Sequence, residues 1–202
     1  VRWKIVMTQT FVIAHATPLE IIGWLWGVFA LYWFIAAFRQ NRVQKREPAA
    51  ERFVHILFMI GGFTLLISPD ARFGRLNQRF LPLSPVCDIA AILLTAVGVA
   101  FAIWARAHLG KYWSAQVTIR EEHRLIRTGP YRFIRHPIYT GMLLALLGTV
   151  LAVGEYRAIL GFALILLGFI KKARKEESFL QIQFGPDFDE HKRHTGFFLP
   201  RF

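Results

Sequence analysis

Residues 86–105 read VCDIAAILLTAVGVAFAIWA, twenty positions in which Asp88 is the only formal charge. At about 1.5 Å of rise per residue such a helix covers about 30 Å, the thickness of a bilayer's hydrocarbon core. Four further apolar blocks flank it: Leu19 to Phe38, Phe53 to Ser68, Pro137 to Val153 and Arg157 to Ile170. Only the first of these matches Val86 to Ala105 in reach. Gly154, Glu155 and Tyr156 alone separate the last two, which predicts a tight helical hairpin. Five such blocks among 202 residues, 54% of them hydrophobic, exceed what so small a soluble core can hide. The expected architecture is all-α, a multi-pass integral membrane helix bundle of about five transmembrane helices.

Charge is segregated from the apolar blocks. The net charge of +12 would suit a nucleic-acid binder in a soluble chain, but here lysine and arginine gather between the blocks. With five spans, the connections Arg39 to Arg52 and Arg106 to Arg135 and the segment from Lys171 onward share a side, and they hold nineteen of the twenty-five positive charges. The positive-inside bias puts that side in the cytoplasm and calls for no nucleic-acid partner. Val1 to Ala16 has Arg2 and Lys4 ahead of an apolar run broken by Thr8, Gln9 and Thr10, and reads as an interfacial or partly inserted segment rather than a signal peptide. Cys87 is the single cysteine and suggests packing.

The organisation changes near Ala105. Residues 1–105 read as transmembrane scaffold, with Pro48, Pro69, Pro82 and Pro85 in the connections and Gly61, Gly62 and Gly98 permitting close helix approach. Residues 106–202 are richer in polar motifs. Arg106 to Arg135 is long for a bare connection, and Lys171 to Phe184 is expected to carry the fifth helix out of the bilayer until Gly185 and Pro186 stop it.

The densest constellation runs from Arg127 through Gly129, Tyr131, Arg135, His136, Pro137, Ile138 and Tyr139 to Gly141. Pro137 opens the fourth helix at its favoured first position, where exposed amides can receive an anion and Arg135 can add a bidentate contact. Taken alone, this segment also reads as a basic juxtamembrane anchor. Glu176 and Glu177 form a second feature, because carboxylates so near a membrane need partners; surface pairing with Lys172 is the plainer account. His191 and His194 have the spacing of a metal pair but lack supporting ligands, so no metal is expected.

These pieces, in order, resemble the isoprenylcysteine carboxyl methyltransferase family and the related membrane phospholipid N-methyltransferases. The shared pattern is His-x-Leu-Val, Gly-x-Tyr, Arg-His-Pro-x-Tyr-x-Gly and a distal Glu-Glu. Here it falls on His123 to Ile126, Gly129 to Tyr131, Arg135 to Gly141, and Glu176 with Glu177, with Ile126 in place of the commoner valine. The resemblance covers Gln116 to the C-terminus. It implies an S-adenosylmethionine site on the cytosolic side, enclosed by the loop, the hairpin and the C-terminal helix. The implied cofactor-binding residues are Gln116, His123, Arg124, Leu125, Ile126, Gly129, Tyr131, Arg135, His136, Pro137, Ile138, Tyr139 and Glu176. Their chemistry suits that ligand: acidic and amide groups for its ammonium and hydroxyls, apolar and aromatic groups for its adenine.

Methyl transfer is an in-line displacement on a sulfonium methyl, so the protein's work is alignment and exclusion of water. The acceptor-side catalytic set is Lys172, Arg174 and Glu177. In the prenylcysteine enzymes an arginine is expected one turn before the first glutamate; this chain has Lys172, which keeps the charge and loses the fork. The expected reaction is isoprenylcysteine-type carboxyl O-methylation of a lipophilic or prenylated acceptor. Phospholipid headgroup N-methylation and a non-catalytic lipid-binding protein of the same fold are the alternatives. The terminal Thr195-Gly-Phe-Phe-Leu-Pro200 resembles the family's tail, which closes over the site.

Overall fold

The computed structural model describes residues 16–37, 49–68, 73–110 and 125–201, with backbone alone at 49–52. Among these residues the chain is helical: α1 Pro18–Ala37, α2 Ala49–Ile67, α3 Pro85–Leu109, α4 Pro137–Val153, α5 Tyr156–Phe184 and α6 Pro186–His194, with short 3-10 turns at Gly74–Asn77 and Gly129–Arg132. The expected interfacial segment lies almost wholly outside the described residues. Local chemistry sets the helix ends. Thr17 and Glu20 form a reciprocal cap on α1, the Thr17 amide donating to Glu20 Oε2 at 2.6 Å and the Glu20 amide to Thr17 Oγ1 at 3.3 Å. Prolines open α3, α4 and α6. Gly154, at φ 65°, ends α4 in the left-handed conformation that costs glycine least.

By length and hydropathy, α1 and α3 qualify as membrane spans, with mean hydropathies of 1.7 and 2.4; Phe53–Ile67 and Pro137–Val153 are shorter apolar helices. The outward faces carry large apolar groups, among them Trp24, Phe34, Phe53, Ile89 and Leu93. That surface suits lipid rather than water. The 29 residues of α5 extend about 44 Å, longer than a hydrocarbon core, and the helix runs unbroken from its apolar half into the charged Lys171 to Glu177 stretch.

The hairpin of α4 and α5 exists, but each arm packs mainly elsewhere: α4 on α3, and α5 on α2. Small residues decide this. A Cβ on Gly98 would meet Gly141 O at 2.6 Å, and one on Gly62 would meet Gly161 O at 2.8 Å. At these crossings the backbones approach to distances that only glycine permits. The two pairs therefore interleave residues from before and after residue 105. Leu66, Leu146, Val150, Ile165 and Phe169 fill the space between them.

A polar clasp closes one end of the bundle. Arg157 donates through Nη1 to Leu65 O at 2.8 Å and through Nε to Glu155 Oε2 at 2.6 Å, while Arg79 Nη1 donates to Val153 O at 3.0 Å. These contacts satisfy the terminal carbonyls of α2 and α4, which have no partners within their own helices. At the opposite end the C-terminus of α3, the N-terminus of α4, the charged half of α5 and the tail after α6 come together. Gly98→Leu is expected to destabilise the protein by about 1–3 kcal/mol, since the new side chain must push α4 backbone away. Gly61→Ala, whose Cβ would meet only Leu164 Cδ1 at 3.7 Å, should not destabilise the protein and is expected to gain up to about 1 kcal/mol from helix propensity. Thermal unfolding of the two variants in detergent compares these effects.

Candidate functional site

The residues Arg135 and His136 are held in place before α4 begins. The Arg135 amide donates to Gly196 O at 2.9 Å and the His136 amide to Phe197 O at 3.3 Å, so the tail runs beside them like a short parallel strand. Thr140 Oγ1 donates to Phe198 O at 2.7 Å and fastens the same tail to the first turn of α4. The sequence suggested that amides here receive an anion. Two of those flanking the helix start instead serve the tail's carbonyls.

Side chains then tie α4 to α5. His136 is buried between Glu176 and Glu177: Nδ1 lies 3.6 Å from Glu176 Oε2, and Nε2 lies 3.2 Å from Glu177 Oε1. Arg135 Nε donates to the same Glu177 oxygen at 2.6 Å, and its Nη1 donates to the carbonyl of Thr195. The Arg135 fork is therefore occupied within the protein. Tyr139, in the first turn of α4, donates its hydroxyl to Glu176 Oε1 at 2.6 Å. Glu177 is held by both Arg135 and His136. Glu176 keeps acceptor capacity, because its contact with His136 is longer than a hydrogen bond.

Electrostatics follow from this geometry. Burial pushes the His136 imidazole down, but the close approach and negative charge of Glu176 and Glu177 outweigh it and hold the group above its ordinary value. Burial pushes both carboxyls up, and His136 pulls them below the usual range, aided by Lys172 and Tyr139 at Glu176 and by Arg135 at Glu177. His191 behaves oppositely. Burial and the charges of Arg127 and Arg135 lower it to about 4.

Aromatic rings line the cluster. Tyr139 stacks on Phe169 of α5 at 4.9 Å, and the tail's Phe197 and Phe198 meet the His136 ring edge-on at 5.0 and 6.0 Å. Tyr131 is buried; its hydroxyl donates to Ala105 O at 3.4 Å and its ring stacks on His108. Burial and the Glu176 charge hold its phenol well above the ordinary range. Gly129, at φ 58°, opens that turn, and a Cβ there would strike the His108 ring at 2.6 Å. Leu125 and Ile126 are half-buried before the turn, while Pro137 and Ile138 are buried within α4.

The geometry gathers Arg135, His136, Tyr139, Glu176 and Glu177 directly, and the charge of Lys172 acts on Glu176 from the preceding turn of α5. Arg174 is different. It is exposed and sits about 160° around the helix from Glu176, away from the cluster. Gln116, His123 and Arg124 lie outside the described residues. Among the described residues no group of three or more His, Cys, Asp or Glu is disposed to hold a metal, and His194 bonds the Glu190 carbonyl while His191 is buried beside it. Sequence reasoning passed over Phe169 and gave His55 no role in the site. Apolar helix positions and single histidines carry no motif of their own.

Residues 90–182 match the isoprenylcysteine carboxyl methyltransferase (ICMT) family model. The similarity thus belongs to α3, α4, most of α5 and their connections, and not to the motif alone. A probable protein-S-isoprenylcysteine O-methyltransferase from Oryza sativa subsp. indica is 34% identical over 84 residues, 40% of this chain and 44% of that protein. The cobalt-zinc-cadmium resistance protein CzcN of Cupriavidus metallidurans is 36% identical over 121 residues, 56% of this chain and 51% of that protein. The matched regions span about half the length of these curated relatives. The solved structure of a eukaryotic intramembrane Ras methyltransferase, ICMT, superposes with a TM-score of 0.54 at 20% identity, covering 93% of this chain and 69% of that one. The chain therefore has the fold of that membrane protein.

The ion cluster has a pH signature. His136 binds its proton more tightly when folded, so its stabilising contribution is complete below about pH 6.5 and declines as pH rises through the folded value. The two glutamates contribute fully above about pH 4.5 and lose their contribution as pH falls through their lowered values. His191, lowered to about 4, adds an opposing rise of stability between that value and about 6.5. The clean window lies above pH 6.5. There the wild-type melting temperature is expected to fall with rising pH, and His136→Ala to flatten that slope. An unchanged slope in the variant would remove His136 as its source.

Proposed function

We propose that this chain is an integral-membrane S-adenosylmethionine-dependent methyltransferase that acts on a lipophilic acceptor, with an isoprenylcysteine-type carboxylate as the leading substrate. One observation carries the reading: Arg135, His136 and Tyr139 at the start of α4 meet Glu176 and Glu177 of α5 in the segment that matches the family. That end carries the charged half of α5, and the sequence puts nineteen of the twenty-five positive charges in the connections Arg39 to Arg52 and Arg106 to Arg135 and the segment from Lys171 onward. We therefore assign it to the cytoplasm and assign five spans to the chain, with α2 and α4 as the shorter crossings.

The donor set fits the cofactor. Glu176 has an oxygen with spare capacity for an ammonium or hydroxyl, and the aromatic rings of Tyr139, Phe169 and Phe198 beside it supply the apolar surroundings a flat base needs. When bound, S-adenosylmethionine supplies an electrophilic methyl already activated by its charge. The chain's residues supply position. Glu177, held by Arg135 and His136, is a positioning residue that fixes α5 against α4. The tail excludes water by packing Phe197 and Phe198 over His136. On the family resemblance, Gln116, His123 and Arg124 complete the cofactor site from the connection after α3.

Lys172 offers positive charge to an acceptor without a bidentate fork. A carboxylate is anionic at neutral pH and needs no base, whereas a lipid amine must first lose a proton. Glu176 and Glu177 are both held ionised by cations and make a poor reservoir of basicity, which favours the carboxylate. The names of the relatives include isoprenylcysteine methyltransferases, metal-resistance proteins and an uncharacterized protein, so this choice rests on side chains. Phospholipid N-methylation is the second reading, favoured by lysine in place of arginine at residue 172.

Calorimetry on detergent-purified protein is expected to detect S-adenosylmethionine binding, weakened at least tenfold, about 1.4 kcal/mol, in Glu176→Gln and in His136→Ala. Methyl transfer is expected to N-acetyl-S-farnesylcysteine rather than to phosphatidylethanolamine. No cofactor binding by folded wild type would sink the methyltransferase reading; transfer to the amine lipid alone would replace the acceptor.

A further inference from the structure

The outward face of α5 changes character without a break. At about 100° per residue, Leu160, Leu167, Lys171, Arg174 and Ser178 fall within about 60° of one another around the helix, and all of them are exposed. Leu160 and Leu167 belong to the apolar surface that the bundle presents to lipid; Lys171 follows Leu167 by one turn and Arg174 follows it by two. The buried side of the same helix carries Ile165, Phe169 and Ala173, and Glu176 reaches Tyr139 from there. The stripe is therefore the side of α5 turned away from the bundle.

Its two cations are not consumed inside the protein. Among the described residues neither Lys171 nor Arg174 forms an ion pair; the neighbouring carboxylates, Glu176 and Glu177, are engaged by Tyr139, His136 and Arg135. Lys171 Nζ lies 5.7 Å from the ring centroid of Phe58 on α2, a helix whose Phe53 and Leu57 are exposed apolar residues. Positive charge thus sits beside groups that face lipid, at the edge of the hydrocarbon region, where a leaflet's headgroups begin. An ordinary solvated pair of cations would be set off from such a surface by polar residues. Here the step from leucine to lysine is a single turn.

We propose that Lys171 and Arg174 form a seat for the headgroup of an anionic phospholipid from the surrounding leaflet, with Ser178 at its outer edge. The lysine contributes a point charge and the arginine a planar fork that matches phosphate oxygens, while Leu160 and Leu167 line the path of the same lipid's acyl chain. A zwitterionic lipid brings a compensating cation with its phosphate and gains less. In this role Arg174 serves the lipid rather than the methyl acceptor. A lipid held there fixes the depth at which α5 leaves the bilayer, and with it Glu176 on the helix's opposite side. The seat needs a bilayer around α5 and no particular reaction.

The test is native mass spectrometry of the full chain in detergent with added phosphatidylglycerol or phosphatidylcholine, alongside thermal unfolding in the same mixtures. Wild type is expected to bind phosphatidylglycerol at least fivefold more tightly than phosphatidylcholine and to melt at a higher temperature with it. Lys171→Gln combined with Arg174→Gln should weaken phosphatidylglycerol at least fivefold, leave phosphatidylcholine within twofold and abolish the lipid-dependent rise in melting temperature. Lys171→Arg combined with Arg174→Lys, which keeps both charges, should retain most of the binding. Arg193→Gln combined with Arg201→Gln removes the same charge from exposed positions on α6 and the tail, and should leave phosphatidylglycerol within twofold. A wild type with no preference between the two lipids, an unchanged preference in the glutamine variant of α5, or an equal loss in the control pair would overturn the inference. Displacement of phosphatidylglycerol by an equal concentration of inorganic phosphate would overturn it too, because the seat would then be a site for free anions.

Discussion

An imidazole buried between two carboxylates sets the terms for this end of the molecule. His136 precedes α4, and Glu176 and Glu177 project from the far half of α5, so their contacts fix two helices whose apolar parts touch each other only sparingly. Neither component is affordable alone. A buried histidine would shed its proton and buried glutamates would take theirs up, but together, with Arg135 and Tyr139, each holds the other ionised. The tail gains its place from the same group, since Arg135 offers both its amide and its guanidinium to the carbonyls of Gly196 and Thr195.

The bundle that supports this cluster is built on proximity. In lipid there is no hydrophobic drive between helices, so close backbone packing at Gly98 with Gly141 and at Gly62 with Gly161 carries the association. The consequence for the site is lateral. With α4 bound to α3 and α5 to α2, the space between the two pairs is bridged by side chains such as Phe169 and by the ion cluster. Arg157 and Arg79 secure the other end by answering carbonyls that the helices leave open. The molecule is thereby pinned at both ends of a four-helix arrangement whose middle is apolar.

Under the proposed function, such a frame would bring together a polar cofactor and a greasy acceptor. The charged half of α5 extends beyond the length of a hydrocarbon core, so its carboxylates need not be buried in lipid. The outward face of α2, by contrast, is apolar at Phe53, Ile56, Leu57 and Ile60. Lys172 stands between the two environments and its charge reaches both Glu176 and His55. Under the proposed function, the same lysine would neutralise an anionic acceptor head and attract it toward the site.

The sequence by itself determined the helices, because apolar blocks, prolines at Pro85, Pro137 and Pro186 and glycines at Gly154 and Gly185 act through neighbours in the chain. It also marked most of the cluster, since Arg135 to Tyr139 and Glu176 with Glu177 form local patterns of unusual composition. Gly62 and Gly98 were legible as places of close approach, but Gly61 proved to be an ordinary contact, a distinction that depends on which face each residue presents. Only the tertiary structure decided that Arg174 points away while Lys172 does not, that Arg135 spends its fork on Glu177 and the tail, and that Phe169 reaches the site from an apolar stretch of helix. Those facts depend on helix rotation and crossing, which are set by packing between segments far apart in the chain. A short motif reports the residues that lie together in sequence; distance and direction across the bundle come from the backbones that its small residues allow to meet.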